Sequence, residues 1–445
     1  MQCKIKVLLF ARAFLASDMA LKLSEIDRID LYCAVTNNAE YLKVIKFLPK
    51  DRVIKIVDDK NDIYISKLVD DRLIQFLNKC RFFRLERREI GLNISRNWYK
   101  QFNKFIIQNS IDAIIDEPLS TTINYCLQIA ANDAGIKVFH FHSCWIPGYS
   151  FFSFNEHQDA LAIYRPKRNI QAYYDLVKAH SANRQKGFSP PLYIEGINRL
   201  TYKLKNTLNL ILGYISRLCF KKEVFTENFK EFISYDLKCV LNSVLEKNRY
   251  STKLKGECSN ILFPLHYYPE AVLQTWSVYT RQHELAELLV DNLPKNAKLI
   301  IKEHPQQVGA TGLAEYYNLV NNKNVVIIKG SVPALTLAKD IACVVSIGST
   351  LVMDYASNNI PCAVFGKPHF RNAPGVTHFP LINDDFKLWL NEKCNAFNKN
   401  KSVSNENIII WYADFLSQHC IKASIMPNKV EIDEDEFMNL MNDNI

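Results

Sequence analysis

The chain has 445 residues, of which 48% are apolar and 12% aromatic, and its 55 Lys and Arg against 46 Asp and Glu leave a net charge of +9. That length is too great for one ordinary domain, and that apolar content excludes a mainly disordered protein. With only 13 glycines, glycine-rich nucleotide loops and a many-turned all-β chain are also disfavoured. The 12 cysteines run from Cys3 to Cys420 without a Cys-x-x-Cys, a pattern of buried reduced thiols rather than of a zinc site or a disulfide framework. Lys4 and Lys6 precede a short apolar run, but Arg12 and Asp18 break it before it can serve as a signal peptide. The richest apolar stretch, residues 208–215, is far shorter than the ~20 residues of a membrane span. The expectation is a cytoplasmic protein, peripheral to a membrane at most.

In chain order, the runs IKVLLFA, DLYCAV, DRVIKIV, DAIID and KVFHFH read as buried strands, with helical-period stretches such as 64–80 and 122–134 between them. The second of these helices ends at Ala134-Gly135, a natural stop. Alternating strands and helices predict a parallel sheet covered on both faces. Residues 165–255 differ in texture, holding 18 Lys and Arg against 7 Asp and Glu. This excess reads either as a surface for an anionic partner, such as phospholipid headgroups, or as a solvated helical insertion. No nucleic-acid recognition motif accompanies it, so no nucleic-acid partner is expected.

From residue 260 the alternation resumes in ILFPLH, AKLIIKEHP, NVVIIKG, ACVVSIG and PCAVFG, with helices over 277–291 and 350–357 and an acidic helix or tail at 431–436. The predicted class is α/β: two Rossmann-like domains at 1–160 and 259–400, a basic helical insertion at 161–258 between them, and C-terminal helices with an acidic tail at 401–445. Such a pair suggests a cleft enzyme.

Three loops at strand ends carry candidate chemistry. Lys302-Glu303-His304-Pro305 follows a buried strand, where ligands of open parallel sheets collect; His304 can donate to a phosphate oxygen and Lys302 can add positive field. Pro305 forces His304 into an extended backbone. Ser346-Ile347-Gly348-Ser349-Thr350 also follows a strand and opens a helix, so free N–H groups and hydroxyls can hold an anion, the plainer use being a helix cap. Asp354, one turn on, can accept from a ribose or sugar hydroxyl. In the third loop His266, Tyr267, Tyr268 and Glu270 offer stacking and hydrogen bonds to a base or sugar.

The ordered set PLHYYPEAVLQTW, KEHP and SIGSTLVMDYASNNIPCAVFG resembles the bacterial capsule polysaccharide biosynthesis family, which includes β-Kdo glycosyltransferases. The resemblance is strongest over 260–370 and implies a GT-B arrangement, two Rossmann-like domains facing across a cleft, with a nucleotide-sugar donor on the C-terminal one. It implies transfer of a sugar, Kdo or another CMP-activated acid, to a glycan or lipid-linked acceptor at the inner face of the cytoplasmic membrane. It calls for no cofactor and no metal. His304 would contact the donor phosphate and Ser349 and Thr350 would cradle it, while Asp354 stands where the family has a glutamate. A CDP-alcohol-dependent polyol-phosphate transferase and a non-catalytic capsule assembly component are the competing expectations.

On this reading the N-terminal half supplies the acceptor surface and a catalytic carboxylate. Asp116 and Glu117 end a strand in AIIDEPLSTT; neighbours on a strand point to opposite faces, so one of them is expected to enter the site. Pro118 extends Glu117 and favours it as general base or nucleophile, against a plain helix-capping use. His140 and His142 alternate on one strand face and, with Trp145, are expected to line the acceptor site. Two histidines without a third ligand do not make a metal site.

Overall fold

A computed structural model describes residues 4–12, 15, 17–59, 65–79, 88–155, 158–163, 169–185, 238–239, 241–242, 250–251, 254, 259–267, 272–397, 405–426 and 429–445. Most of the basic segment, and with it the predicted insertion at 161–258, lies outside these residues. The chain forms two compact units, one built from 1–168, 211–229 and 418–445 and the other from 169–210 and 230–417.

The sheet of the first unit contains β1 (Ile5–Phe10), β2 (Ile29–Val35), β3 (Val53–Lys55), β4 (Ala113–Asp116), β5 (Lys137–Ser143), β6 (Tyr149–Ser153), β13 (Cys420–Met426) and β14 (Lys429–Ile432). Its spatial order is β14-β13-β6-β5-β4-β1-β2-β3. The strands from β3 to β5 are parallel, and β6, β13 and β14 join antiparallel. Side chains alternate across a strand, so Val7 and Leu9 of β1 enter one core while Leu8 and Phe10 enter the other with Trp98 and Phe102. Both faces are covered, which is why the parallel strands read as unbroken apolar runs. The helix Thr122–Asp133 stops where the sequence says, at Gly135, whose φ of +71° suits glycine.

The sheet of the second unit is wholly parallel, in the order β12-β11-β10-β7-β8-β9. Its strands are β7 (Ser259–Pro264), β8 (Ala297–Lys302), β9 (Val325–Ile328), β10 (Ile341–Ser346), β11 (Cys362–Val364) and β12 (Val376–His378). Numbered within the unit this is 3-2-1-4-5-6, the order of a doubly wound dinucleotide fold, and the parallel part of the first unit runs 3-2-1-4-5. In both, strand order reverses beside the first strand, between β1 and β4 and between β7 and β10. The expected Rossmann-like character of both halves is present.

The end of the chain departs from the expectation of an appended acidic tail. The helix Glu406–His419 belongs to the second unit up to Ser417, and the chain then enters the first sheet as β13 and β14. Asp433 caps the closing helix Glu434–Asn444 by accepting from the Glu436 N–H. Phe437, Met438, Leu440 and Met441 of that helix are buried with Val7, Leu9 and Leu31. The acidic residues occupy its exposed first turn, a location the helix dipole favours.

Because Phe437 fills the core of strands more than 400 positions upstream, Phe437→Ala is expected to cost about 3–5 kcal/mol in urea unfolding. Leu388→Ala, at a position 71% exposed, should change stability by under about 0.5 kcal/mol. Equal effects would show that the terminal helix is not part of that core.

Candidate functional site

The second unit gathers three predicted loops at the carboxyl edge of its sheet, around the reversal point. His266 leaves β7 with its backbone paired to the Gln282 side chain in both directions, at 2.6 and 3.2 Å. This orients the imidazole toward the exit of β10, where Nε2 accepts from the Gly348 N–H at 3.4 Å and meets Ser346 Oγ at 3.5 Å. Tyr267, the next residue, sets its ring edge-on to His304, 5.7 Å between centroids. The β7 exit therefore joins the His304 loop to the Ser346–Thr350 loop.

His304 has the extended backbone that Pro305 demands, with φ −67° and ψ 137°. Its Nδ1 accepts from the Gln306 N–H at 3.2 Å, so a neutral ring carries its proton on Nε2, as a donor. The ring is half-buried and Pro305 is exposed. The loop is shaped from beneath by Glu303, to which the sequence reading gave no role of its own. Its buried carboxylate accepts from the Gly309 N–H, the Thr311 N–H and hydroxyl, and Tyr250. Burial pushes its pKa up, and these hydrogen bonds oppose the shift.

Several expectations need correction. Lys302 does not face a ligand: it is buried, and Nζ donates to the carbonyls of Glu303 and Gly330, at 3.3 and 3.2 Å. Desolvation lowers its pKa to about 8, and its work is to join the exits of β8 and β9. The N–H groups at the start of the helix Leu351–Ala356 are not all open, since Ser346 Oγ accepts from the Ser349 N–H and Ser349 Oγ from the Leu351 N–H. Thr350 is exposed and makes no capping bond with its side chain. Asp354 holds no carboxylate out for a hydroxyl. Its side chain is wholly buried and paired through both oxygens with Arg184, from the helix Ile170–Gln185. Glu270 lies outside the described residues.

The same edge continues past Gly366 to Lys367, Arg371 and His378, which the sequence reading passed over. Burial and these two cations lower the pKa of His378, and its Nε2 is buried without a hydrogen-bond partner. A lysine and an arginine in a proline-containing loop give little sequence signal; only the parallel pairing of β10, β11 and β12 brings them to this edge.

In the first unit the reversal point is occupied by charge. Arg12, just past β1, donates through one guanidinium nitrogen to Glu117 at 3.0 Å and to Thr121 and Asn124 at 2.8 Å each. Asn124 donates to both oxygens of Asp116, at 2.9 and 3.0 Å. Both carboxylates thus enter one buried network, Glu117 through Arg12 and Asp116 through Asn124. Burial, and then the charge of Glu117, raise the pKa of Asp116 to about 8. Arg12, Thr121 and Asn124 were not foreseen, although Arg12 is the first cation after the first strand.

The predicted acceptor residues do not line a surface. His140 is fully buried, with Nδ1 donating to the Glu117 carbonyl at 3.0 Å and Nε2 on the Gln128 side chain at 2.8 Å. His142 is stacked on Phe151 and bonded to Ser153 and Gln158. Trp145 is buried. Strand alternation put both histidines on one face, but neighbours take up each of them: Gln128 of the helix Thr122–Asp133 at His140, and Phe151, Ser153 and Gln158 at His142. Among the described residues no group of three or more His, Cys, Asp or Glu side chains is placed to hold a metal ion, and no helix is long and apolar enough to cross a membrane.

Residues 248–389 match the family model described as capsule polysaccharide biosynthesis protein. No curated protein matches the chain. Among solved structures, the chain is similar to the UDP-GlcNAc 2-epimerase from Neisseria meningitidis bound to UDP-GlcNAc, at 14% identity and TM-score 0.27 over 93% of this chain and 98% of that one. It is similar to the UDP-GlcNAc 2-epimerase from Methanocaldococcus jannaschii at 11% identity and TM-score 0.26, over 93% and 99% of the two chains. The KpsC β-Kdo 2,7 transferase from Thermosulfurimonas dismutans is matched at 11% identity and TM-score 0.34, over 86% and 100%. Likeness at this level transfers no chemistry from those proteins to this one.

The network at Asp116 makes a pH-dependent prediction. With a folded pKa of about 8 against an unfolded value near 3.9, the folded protein keeps a proton that the unfolded chain releases. Stability then falls as pH rises from about 4 to about 8, by up to about 1.4 kcal/mol per unit, and levels off above. Asp116→Asn should flatten this slope in urea titrations at pH 5, 6.5 and 8; an unchanged slope would mean that Asp116 does not hold the proton.

Proposed function

We propose that this chain, matched over residues 248–389 by the model described as capsule polysaccharide biosynthesis protein, is a glycosyltransferase that uses a nucleotide-sugar donor. The observation that carries the reading is the meeting of His266 with Ser346 and Gly348 at the reversal point of a wholly parallel sheet. Ligands of doubly wound sheets bind beyond the strand ends at that point. His304 Nε2–H, the Ser349 and Thr350 hydroxyls and the cations at Lys367 and Arg371 are suited to an anionic leaving group, and stabilising developing charge with fixed donors is the largest catalytic effect available to such a site.

In the first unit, Glu117 is the group we assign to the acceptor proton. In the transfer, the acceptor hydroxyl would lose its proton to a carboxylate base and bond to the anomeric carbon, the sugar–phosphate bond would break, and the nucleotide phosphate would leave with the bonding pair. Asp116, protonated at neutral pH and tied to Asn124, would act as a positioning residue. The finer reading is a CMP-activated acidic sugar such as Kdo as donor and a glycan or lipid-linked acceptor. The basic segment 165–255 would hold the enzyme on anionic lipid at the inner face of the membrane.

Thermal-shift titration with CMP, CDP, UDP and GDP tests the donor site. One nucleotide, CMP on this reading, should raise the melting temperature, by the equivalent of about 2.7 kcal/mol at a hundredfold excess over Kd. His304→Ala should weaken that nucleotide roughly 10- to 100-fold, the range for a lost hydrogen bond to a charged group, with little change in the ligand-free melting temperature. Failure of all four to stabilise the protein would favour a non-catalytic assembly role. Stabilisation by CDP, followed by CMP release from a CDP-alcohol, would favour polyol-phosphate transfer.

A further inference from the structure

Two thiols that lie 276 positions apart in sequence touch in the first unit: Cys144 Sγ and Cys420 Sγ are 3.1 Å apart. Cys144 follows β5 and is half-buried, while Cys420 opens β13 and is fully buried. Each backbone is pinned from both sides. The Cys144 N–H donates to the Tyr149 carbonyl at 3.2 Å, closing the turn into β6, and Cys420 lies opposite Phe151 of that strand. The approach to β13 is fixed where Ile163 donates to the Gln418 carbonyl at 2.8 Å and His419 Nδ1 meets the Leu161 carbonyl at 3.1 Å. The backbones that carry the two sulfurs are therefore held while the sheet is intact, and a displacement of about 1 Å brings the sulfurs to the bonding distance of about 2.05 Å.

We propose that Cys144 and Cys420 are an oxidative modification site that a peroxide converts to a reversible disulfide. The half-buried Cys144 meets the oxidant first. Its thiolate attacks one peroxide oxygen, the O–O bond breaks, and the released hydroxide takes the thiol proton and leaves as water. Cys420 then attacks the sulfur of the resulting sulfenic acid; the S–O bond breaks, the Cys420 proton goes to the departing hydroxide, and a second water is released. Two thiols lose two electrons in total, and one peroxide is reduced to two waters.

The position of the pair gives the bond a consequence. The chain leaves the second unit after Ser417 and re-enters the first at β13, whose following strand and helix complete a core around Val7 and Leu9. A bond at Cys420 would fasten this returning segment at its point of entry and prevent it from peeling off the edge of β6. Linking residues so far apart removes many conformations of the unfolded chain. This inference stands apart from the glycosyltransferase reading, because none of the residues assigned to donor or acceptor takes part.

The test uses the full-length protein treated with hydrogen peroxide and digested without reduction. The expected product is a Cys144–Cys420 linked peptide two hydrogens lighter than its parts, with a melting temperature raised by roughly 3–8 °C and restored by dithiothreitol. Cys144→Ser, at a half-buried turn, should abolish both the linked peptide and the rise, and Cys33→Ser should keep both. Cys420→Ser, where it folds, should leave Cys144 as a sulfenic acid trapped by dimedone. A product in which Cys144 goes to sulfinic acid without a link, a link between other cysteines, or a rise that persists in Cys144→Ser would overturn the proposal.

Discussion

All six strands of the second sheet run the same way, so their exits crowd a single edge, and the spacing of backbone at that edge decides what a ligand could meet there. Two contacts hold the spacing to its limit. A Cβ on Gly330 would lie 2.6 Å from the His304 carbonyl oxygen, and one on Gly366 would lie 2.5 Å from that of Ile347. Glycine at these two places lets the exits of β9 and β11 press against the loops that carry His304 and Gly348. Lys302 tightens the first contact by bonding to Gly330, and Gln282 fixes the outlet of β7 between the two. The imidazoles are thus supported by backbone rather than by their own side-chain contacts alone.

The two units answer the same topological problem with different chemistry. Both reverse strand order beside their first strand, and in both the residues just past that strand touch the residues past the fourth. In the second unit the contact is an imidazole on a serine and glycine turn; in the first it is a guanidinium on the Glu117 carboxylate, with Asp116 joined through Asn124. Burying ions is costly unless they are paired and hydrogen-bonded. Arg12 and Glu117 satisfy that condition together with Thr121 and Asn124, and Arg184 and Asp354 do so by bidentate pairing. These clusters are committed among themselves, so a reaction at Glu117 requires Arg12 to shift its bonds.

The parallel core of both units was legible because buried parallel strands are apolar on both faces and stand out as short unbroken runs. The two strands that return to the first sheet late in the chain were not. CIKASIM at 420–426 finds its partner in β6, across some 270 residues and with no local pattern to announce it, and KVEI at 429–432 pairs in turn with CIKASIM. Local backbone rules held where they applied: His304 is extended before Pro305, and a hydroxyl-bearing turn follows β10. Those judged by side-chain type alone fared worse. His140, His142, Lys302 and Asp354 are polar residues of the sort that line clefts, yet each is absorbed by a partner that the sequence does not reveal: Gln128, Ser153, Gly330 and Arg184. Arg184 comes from the basic segment, whose charge alone suggested solvent or lipid.

The proposed chemistry requires an oxyanion to bind where β7, β8 and β10 end. Crystals soaked in tungstate, whose anomalous signal locates a tetrahedral oxyanion directly, test this without assuming a nucleotide. A peak is expected within hydrogen-bonding reach of His304 Nε2 and the Ser349 or Thr350 hydroxyl. Density confined to surface lysines, or to the Arg12 cluster of the other unit, would rule the site out.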